Sequence, residues 1–193
     1  MAKNVKTFKA KDGKKYKITR MWAYQNPWFC DKGKIKKKNV KYIVIHNTGN
    51  HGKDKAEANA NYLRNNKARY AGAQFIIDYD GKIVQCGRLK DACYAVGGDK
   101  YTNTKGGKYY KKCTNYNSIS IELAGIVDNY PSKKQQQATK AVIEYIQKYC
   151  PNAKKIIRHW DVTGKDCPQR FAGTTTSKKG KAWSNFKQKI KVK

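Results

Sequence analysis

A chain of 193 residues has room for one domain with a short appendage, and its 39% hydrophobic content, gathered in blocks, argues against a disordered chain. Forty-three Lys and Arg against thirteen Asp and Glu leave a net charge of +30, which attracts polyanions such as nucleic acid, anionic lipid or acidic wall polymers. No apolar stretch approaches the ~20 residues of a membrane span. The basic start, MAKNVKTFKAKDGKKYK, has no apolar segment behind it, so no secretory signal is expected. A chain made and held in the cytosol keeps its thiols reduced; the six cysteines form no CxxC pair and are expected to be free.

Residues 1–39 are Lys-rich and carry an aromatic patch, MWAYQNPWFC. They are expected to form a basic arm, separate from a domain over 40–193 and packed on it through Trp22, Trp28 and Phe29, with KYKI as a short strand. Val40–Ile45 is a β-branched and aromatic run that ends in polar turn residues, the pattern of a buried strand. Asp54 and Glu57 form a capping pattern ahead of a helix whose Ala56, Ala60 and Leu63 share one face. Phe75–Ile77 and Lys82–Gln85 flank DYDG, a hairpin signal. Residues 97–117, rich in Gly, Lys, Tyr and Asn, read as a long loop of the kind that carries function in compact domains. SISIELAG gives a strand with Ile119, Ile121 and Leu123 on one side. Ser132 and Gln135 cap a helix with Ala138, Ala141, Val142, Tyr145, Ile146 and Tyr149 at helical spacing, ended by Cys150-Pro151. A short strand, KKIIRH, and a C-terminal helix with Trp183, Phe186 and Ile190 on one face complete the chain. Strands alternate with helices, so the fold class is α/β: a single domain with helices packed on a mixed sheet.

The chain has three histidines, and two occupy equivalent places: His46 ends KYIVI and His159 ends KIIR. Ligands of α/β sheets gather beyond strand ends of this kind. Cys167 follows His159 by eight residues across a loop containing Gly164, which lets the thiol swing back beside the imidazole. Two imidazoles and a thiolate suit Zn2+ with a fourth position open for water. The same residues read alternatively as a nucleophilic Cys–His pair, which leaves one histidine without a task. His51, between loop residues, is expected to be exposed. Glu122 faces opposite to Ile121 and Leu123, and a carboxylate in an apolar strand needs a partner or a task; proton acceptor is one such task. Lys165, two residues before Cys167, is placed to neutralise a developing oxyanion.

Taken together, YIVIHNTG, NSISIELAG and RHWDVTGKDCPQRF resemble the zinc-dependent N-acetylmuramoyl-L-alanine amidases, a family that includes phage endolysins, bacterial autolysins and animal peptidoglycan recognition proteins. The resemblance runs from about Val40 to Phe171. It implies that His46, His159 and Cys167 bind zinc, that Lys165 stabilises the tetrahedral intermediate and that Glu122 is the catalytic carboxylate. It further implies a central mixed sheet flanked by helices on both faces, and hydrolysis of the amide between the lactyl group of N-acetylmuramic acid and L-alanine. Two departures stand out: Ala73 and Gln74 occupy a place where some relatives carry Tyr or His, and Ala95 follows Tyr94 where many carry His. The expected partner is peptidoglycan, with anionic wall polymers as a second target of the charge, no specific nucleic acid, no transmembrane segment and a monomeric state. The enzyme is expected to act on the wall after release, as a phage or prophage endolysin does. The competing readings are a nucleic-acid-binding protein, against which stands the lack of any recognised motif, and a catalytically dead peptidoglycan-binding relative, against which stands the retention of Cys167.

Overall fold

The computed structural model describes residues 4–172 and 176–192; the first three residues of the basic N-terminal segment lie outside them. Among these residues nine strands, four α-helices and one single-turn helix follow in the order β1 (Asn4–Lys9), β2 (Lys15–Arg20), β3 (Cys30–Asp31), the single-turn helix (Lys37–Asn39), β4 (Tyr42–Asn47), α1 (Ala56–Asn65), β5 (Phe75–Ile77), β6 (Ile83–Gln85), β7 (Ala92–Cys93), β8 (Ser118–Leu123), α2 (Lys133–Tyr149), β9 (Lys155–Arg158), α3 (His159–Thr163) and α4 (Thr176–Lys189). Seven strands form one mixed sheet in the order β1-β2-β6-β5-β8-β4-β9, and β3 pairs with β7. β5, β8, β4 and β9 are parallel, whereas β6 runs antiparallel to β5 and β1 to β2.

β4, flanked by the parallel strands β8 and β9, is buried at all six positions, as expected for a parallel strand covered on both faces. One face of the sheet meets α2 and α4. Ile119, Ile121 and Leu123 of β8 join Ala138, Val142 and Ile146 of α2 and Phe186 in the largest core cluster, together with Ile190 just past α4. Burying each large side chain of this kind is worth about 1.5–3 kcal/mol. On the other face α1 lays Ala56, Ala60 and Leu63 on Ile76 and Val84. Beside it Val96 and, from the long loop, Cys113 cover Tyr42, Val44 and Ile157. The two coverings leave a gap, and the cleft described below occupies it.

Capping differs from expectation in an informative way. At α2 the Ser132 hydroxyl accepts the Gln135 N–H at 3.0 Å, but the Gln135 amide does not return the bond. It donates instead to the carbonyls of Ile77 and Ala124, tying the helix to the ends of β5 and β8. At α1 the expected cap does not form: the N-cap is Lys55, with no side-chain bond. Asp54 is drawn off by the Thr48 hydroxyl at 2.8 Å and the Asn59 amide at 2.7 Å, and Glu57 pairs with Lys82. Ordering the loop after β4 thus takes precedence over the helix terminus.

The segment ahead of residue 40 supplies β1 and β2, with Ile18 buried opposite Ile83. Phe29 is fully buried, whereas Trp28 stays 36% exposed, edge-on to Tyr70, and Trp22 is half-buried against Tyr24. All six cysteines are free thiols. No helix among the described residues is long and apolar enough to cross a membrane.

Candidate metal centre and active-site cleft

β4 and β8 run side by side with His46 paired to Glu122, and Ile45 is paired to Arg158 at the end of β9. His159 therefore emerges one residue past β9, next to His46, and their ring centroids lie 4.8 Å apart. The chain then turns through α3 and Gly164, which adopts φ +86°. A Cβ there would meet the Thr104 hydroxyl at 2.5 Å, so glycine is needed both for the turn and for the close approach of the long loop. The return leg is fixed by the Trp160 N–H donating to the Cys167 carbonyl at 2.7 Å. Cys167 Sγ ends 3.7 Å from His46 Nδ1.

His46, His159 and Cys167 are all buried, and their ligand atoms lie within 4.8 Å of one another. His46 Nε2 sits 3.2 Å from Ser120 Oγ, which leaves Nδ1 turned to Cys167. A second group that fixes the ring of a ligating histidine is a usual feature of metal sites. His159 Nε2 is buried without a hydrogen-bond partner. An orphaned imidazole nitrogen is costly, and a divalent ion would satisfy it. Burial, with His159 and Lys165 adding to it, holds His46 well below the usual histidine range; burial, helped by Lys165, lowers His159 to about 4. Both rings are thus neutral at neutral pH, the form that ligates metal. The donor set of two imidazoles and one sulfur fits zinc.

The same environment disfavours the nucleophilic alternative. Burial, reinforced by Glu122, pushes the Cys167 thiol up, whereas a nucleophilic cysteine needs a cationic neighbour that lowers it. Lys165 pulls the thiol down without offsetting its burial, and neither histidine is charged to add to it.

The three residues stand in a cleft of about 570 Å³, with Glu122, Lys165, Arg69, Tyr62, Tyr70 and Tyr94 among its walls. Burial raises the Glu122 carboxyl to about 7, with Lys165 and Arg69 pulling the other way. Its Oε2 is buried and has no partner, and no lysine forms an ion pair with it among the described residues. Gly97, Gly98 and Asn115 of the long loop also line the cleft. That loop is tied down by the Tyr116 hydroxyl donating to Asp31 and by Asn115 Oδ1 accepting from the N–H groups of Ala95 and Val96. His51 lies far out, 77% exposed and paired with Asp128.

A profile described as N-acetylmuramoyl-L-alanine amidase matches residues 36–170. The chain belongs to that family. As an amidase of this family it shares its fold with several solved structures. A mutant endolysin from Bacillus subtilis superposes with a TM-score of 0.63 at 22% identity, covering 91% of this chain and 99% of its own. The catalytic domain of XlyA gives 0.65 at 22%, covering 90% and 99%. The catalytic domain of PlyG gives 0.63 at 24%, covering 90% and 92%. No curated protein sequence matches the amidase.

Several contributors to the cleft escaped the sequence reading. Ser120 lies two residues before Glu122 on the same face of β8, so strand parity alone points it at His46. Asn47 and Gln169 clasp each other through two 3.1 Å hydrogen bonds that hold the Cys167 segment against β4; nothing in their spacing announces this. Arg158 grips Asp161 at 2.7 and 3.0 Å and the Phe171 carbonyl at 2.6 Å, bracing α3. Gln74, at one departure from the family pattern, is buried and structural: it donates to the Asp91 carbonyl and accepts from the Ser120 N–H. At the other departure, Tyr94 lines the cleft while its hydroxyl is held by Asp31.

Proposed function

We propose that this chain is a zinc-dependent amidase that cleaves the bond between the lactyl group of N-acetylmuramic acid and L-alanine in peptidoglycan, working as a phage or prophage endolysin. The observation that carries the reading is the convergence of His46, His159 and Cys167 on one point of a cleft that also holds an unpartnered carboxylate and a lysine. His46, His159 and Cys167 would hold the zinc. When bound, the ion supplies Lewis-acid polarisation of a carbonyl and lowers the pKa of water to about 7.

The chain's own groups do the rest. Glu122, raised toward neutrality by burial, accepts the proton of the attacking water and returns it to the departing L-alanine nitrogen, tasks that call for a pKa near the working pH. Lys165, which lines the same cleft, brings a positive charge to neutralise the developing oxyanion. Ser120 and the Asn47–Gln169 clasp keep His46 and the Cys167 segment in register. The open cleft between α1 and the long loop suits a glycan strand with its stem peptide. The net charge of +30 draws the enzyme to acidic wall polymers.

Purified walls digested with the protein, with and without a chelator, give the test. Mass spectrometry of the products should find free L-alanine amino termini and intact glycan, and none of this release after chelation. Cleavage at another bond, or undiminished cleavage of the same bond by metal-stripped protein, overturns the reading.

A further inference from the structure

The cleft opens toward the C-terminal ends of β4, β8 and β9, and the opposite ends of these strands carry a different chemistry. Lys41 and Lys154 immediately precede β4 and β9, and the Lys155 N–H donates to the Lys41 carbonyl at 3.2 Å. The segment before β4 is pinned there by the Asn152 amide donating to the Lys38 carbonyl at 2.8 Å. Nearby, three ammonium groups from three separate segments surround one ring: Lys6 of β1, Lys37 of a single-turn helix and Lys148 of α2 lie 5.4, 5.5 and 5.8 Å from the centroid of Tyr149. The Lys155 ammonium stands 5.8 and 5.9 Å from the rings of Tyr42 and Tyr109.

No carboxylate answers these charges. Residues 32–53, 100–117 and 145–160 contain no Asp or Glu. None of the six lysines has an ion-pair partner among the described residues. Glu144, the nearest acidic residue along α2, accepts the Lys11 N–H instead. Five of the six are exposed. Gathering like charges without compensation costs free energy that a bound polyanion returns.

The details select the kind of polyanion. The cations are all lysines, point charges on flexible stems that meet a phosphate without a fixed geometry. Ammonium groups already occupy the neighbourhood of the tyrosine rings on which bases would stack. The rings beside these lysines, Tyr42, Tyr109 and Tyr149, are buried or half-buried, so they offer little apolar surface to anchor a lipid membrane.

We propose that this lysine-covered end of the sheet is a docking surface for a linear phosphodiester polymer of the bacterial wall, holding the enzyme with its cleft turned toward the glycan. The proposal rests on the wall-amidase reading above. The test compares binding of purified poly(glycerol phosphate) by three variants. One replaces Lys6, Lys37, Lys41, Lys148, Lys154 and Lys155 with Gln. The second replaces the same six with Arg. The third carries Gln at Lys9, Lys17, Lys53, Lys67, Lys90 and Lys187, six exposed lysines elsewhere, and has the same net charge as the first. The first should bind at least ~10-fold more weakly at physiological salt, with a salt slope shallower by about 0.7 for each phosphate that the protein no longer neutralises. The second and third should stay within about threefold of the parent.

Equal losses in the first and third variants would mean a diffuse attraction and overturn the surface. So would single-stranded DNA that binds the same six lysines as tightly as the polymer does. A parent protein that binds the polymer but leaves muropeptides uncut would overturn the amidase reading and leave the surface standing; the reverse would overturn the surface alone.

Discussion

Replacing Glu122 with Gln separates what the carboxylate does for catalysis from what it costs the fold. The two side chains are nearly isosteric, so the cleft keeps its shape. An ordinary glutamate titrates near 4.5 and this one near 7, because burial penalises its charge and Oε2 has no partner. At 1.36 kcal/mol per tenfold change in a proton equilibrium, ionising Glu122 at pH 7 costs the metal-free fold up to about 3 kcal/mol. The sign follows from the direction of the displacement. Below pH 4.5 the group is protonated folded or unfolded, and its contribution is fully present. As pH rises through the native value near 7 that contribution is lost, and it stays lost above. Metal-free E122Q should therefore equal the parent in stability at pH 4 and exceed it at pH 7.5 by up to about 3 kcal/mol, at ~2–4 °C in melting temperature per kcal/mol for a domain of this size. Loaded with zinc, the same variant should keep its metal and lose about 10²–10⁴ in rate. Calorimetry at the two pH values, metal analysis and muropeptide hydrolysis measure the three quantities. A near-parental rate would refute the catalytic assignment, and melting temperatures that coincide at both pH values would refute the burial argument.

Three further substitutions probe the scaffold and the metal. Cys167→Ser removes the one sulfur; zinc affinity should fall by more than the ~100-fold typical of disturbing a supporting residue, measured by competition with a chromogenic chelator, and unchanged affinity would remove Cys167 from the ligand set. Gly164→Ala forces a side chain into left-handed backbone and against the Thr104 hydroxyl, so it should cost about 1–3 kcal/mol in urea melts and slow the reaction by displacing Lys165; an unshifted urea midpoint would mean that the turn relaxes freely. Asp91 is fully buried, and burial pushes its carboxyl up, but the Arg88 guanidinium, the Tyr24 hydroxyl and the N–H groups of Gly33 and Arg88 outweigh this and hold it below the usual range. Its stabilisation is present above pH ~4 and lost as pH falls through the depressed value, so Asp91→Asn should cost about 2–3 kcal/mol at pH 7, since half-exposed Arg88 rehydrates, and less at pH 3. A cost that persists undiminished at pH 3 would contradict the ionised network.

Legibility in the sequence followed locality. The strands under His46 and Glu122 were readable because burial on one or both faces imposes its own pattern, and α2 and α4 because each buries a single stripe. β1 escaped because an edge strand protected by lysines looks like a solvated basic run: in NVKTFK only alternate positions face the protein. The failed cap at Asp54 has the same root. A capping pattern states what a helix start can use, and only the folded loop reveals that Thr48, Asn50 and Asn59 compete for the same carboxylate. The candidate metal ligands stand out because chemistry restricts such ligands to a few residue types. Their supports, Ser120, Asn47 and Gln169, are ordinary polar residues whose meaning comes from contacts across 74 and 122 positions of chain.

The site shows why its parts stand where they do. His46 and Glu122 lie on neighbouring strands in fixed register, so the spacing of one candidate ligand and the candidate proton acceptor is set by the ladder of the sheet, the stiffest element available. His159 begins a short helix directly after a third strand and inherits the same rigidity. Only Cys167 and Lys165 arrive by a loop, and that loop is restrained by Gly164, by the Trp160–Cys167 backbone bond and by the Asn47–Gln169 clasp. Two of the buried polar atoms left without a partner among the described residues, Glu122 Oε2 and His159 Nε2, belong to residues that line the cleft. A carboxylate and an imidazole left without partners there would be a defect in a core. In an open cleft between paired strands, the proposed function gives them tasks toward an ion and a substrate, with the cost carried by the apolar packing on the opposite face.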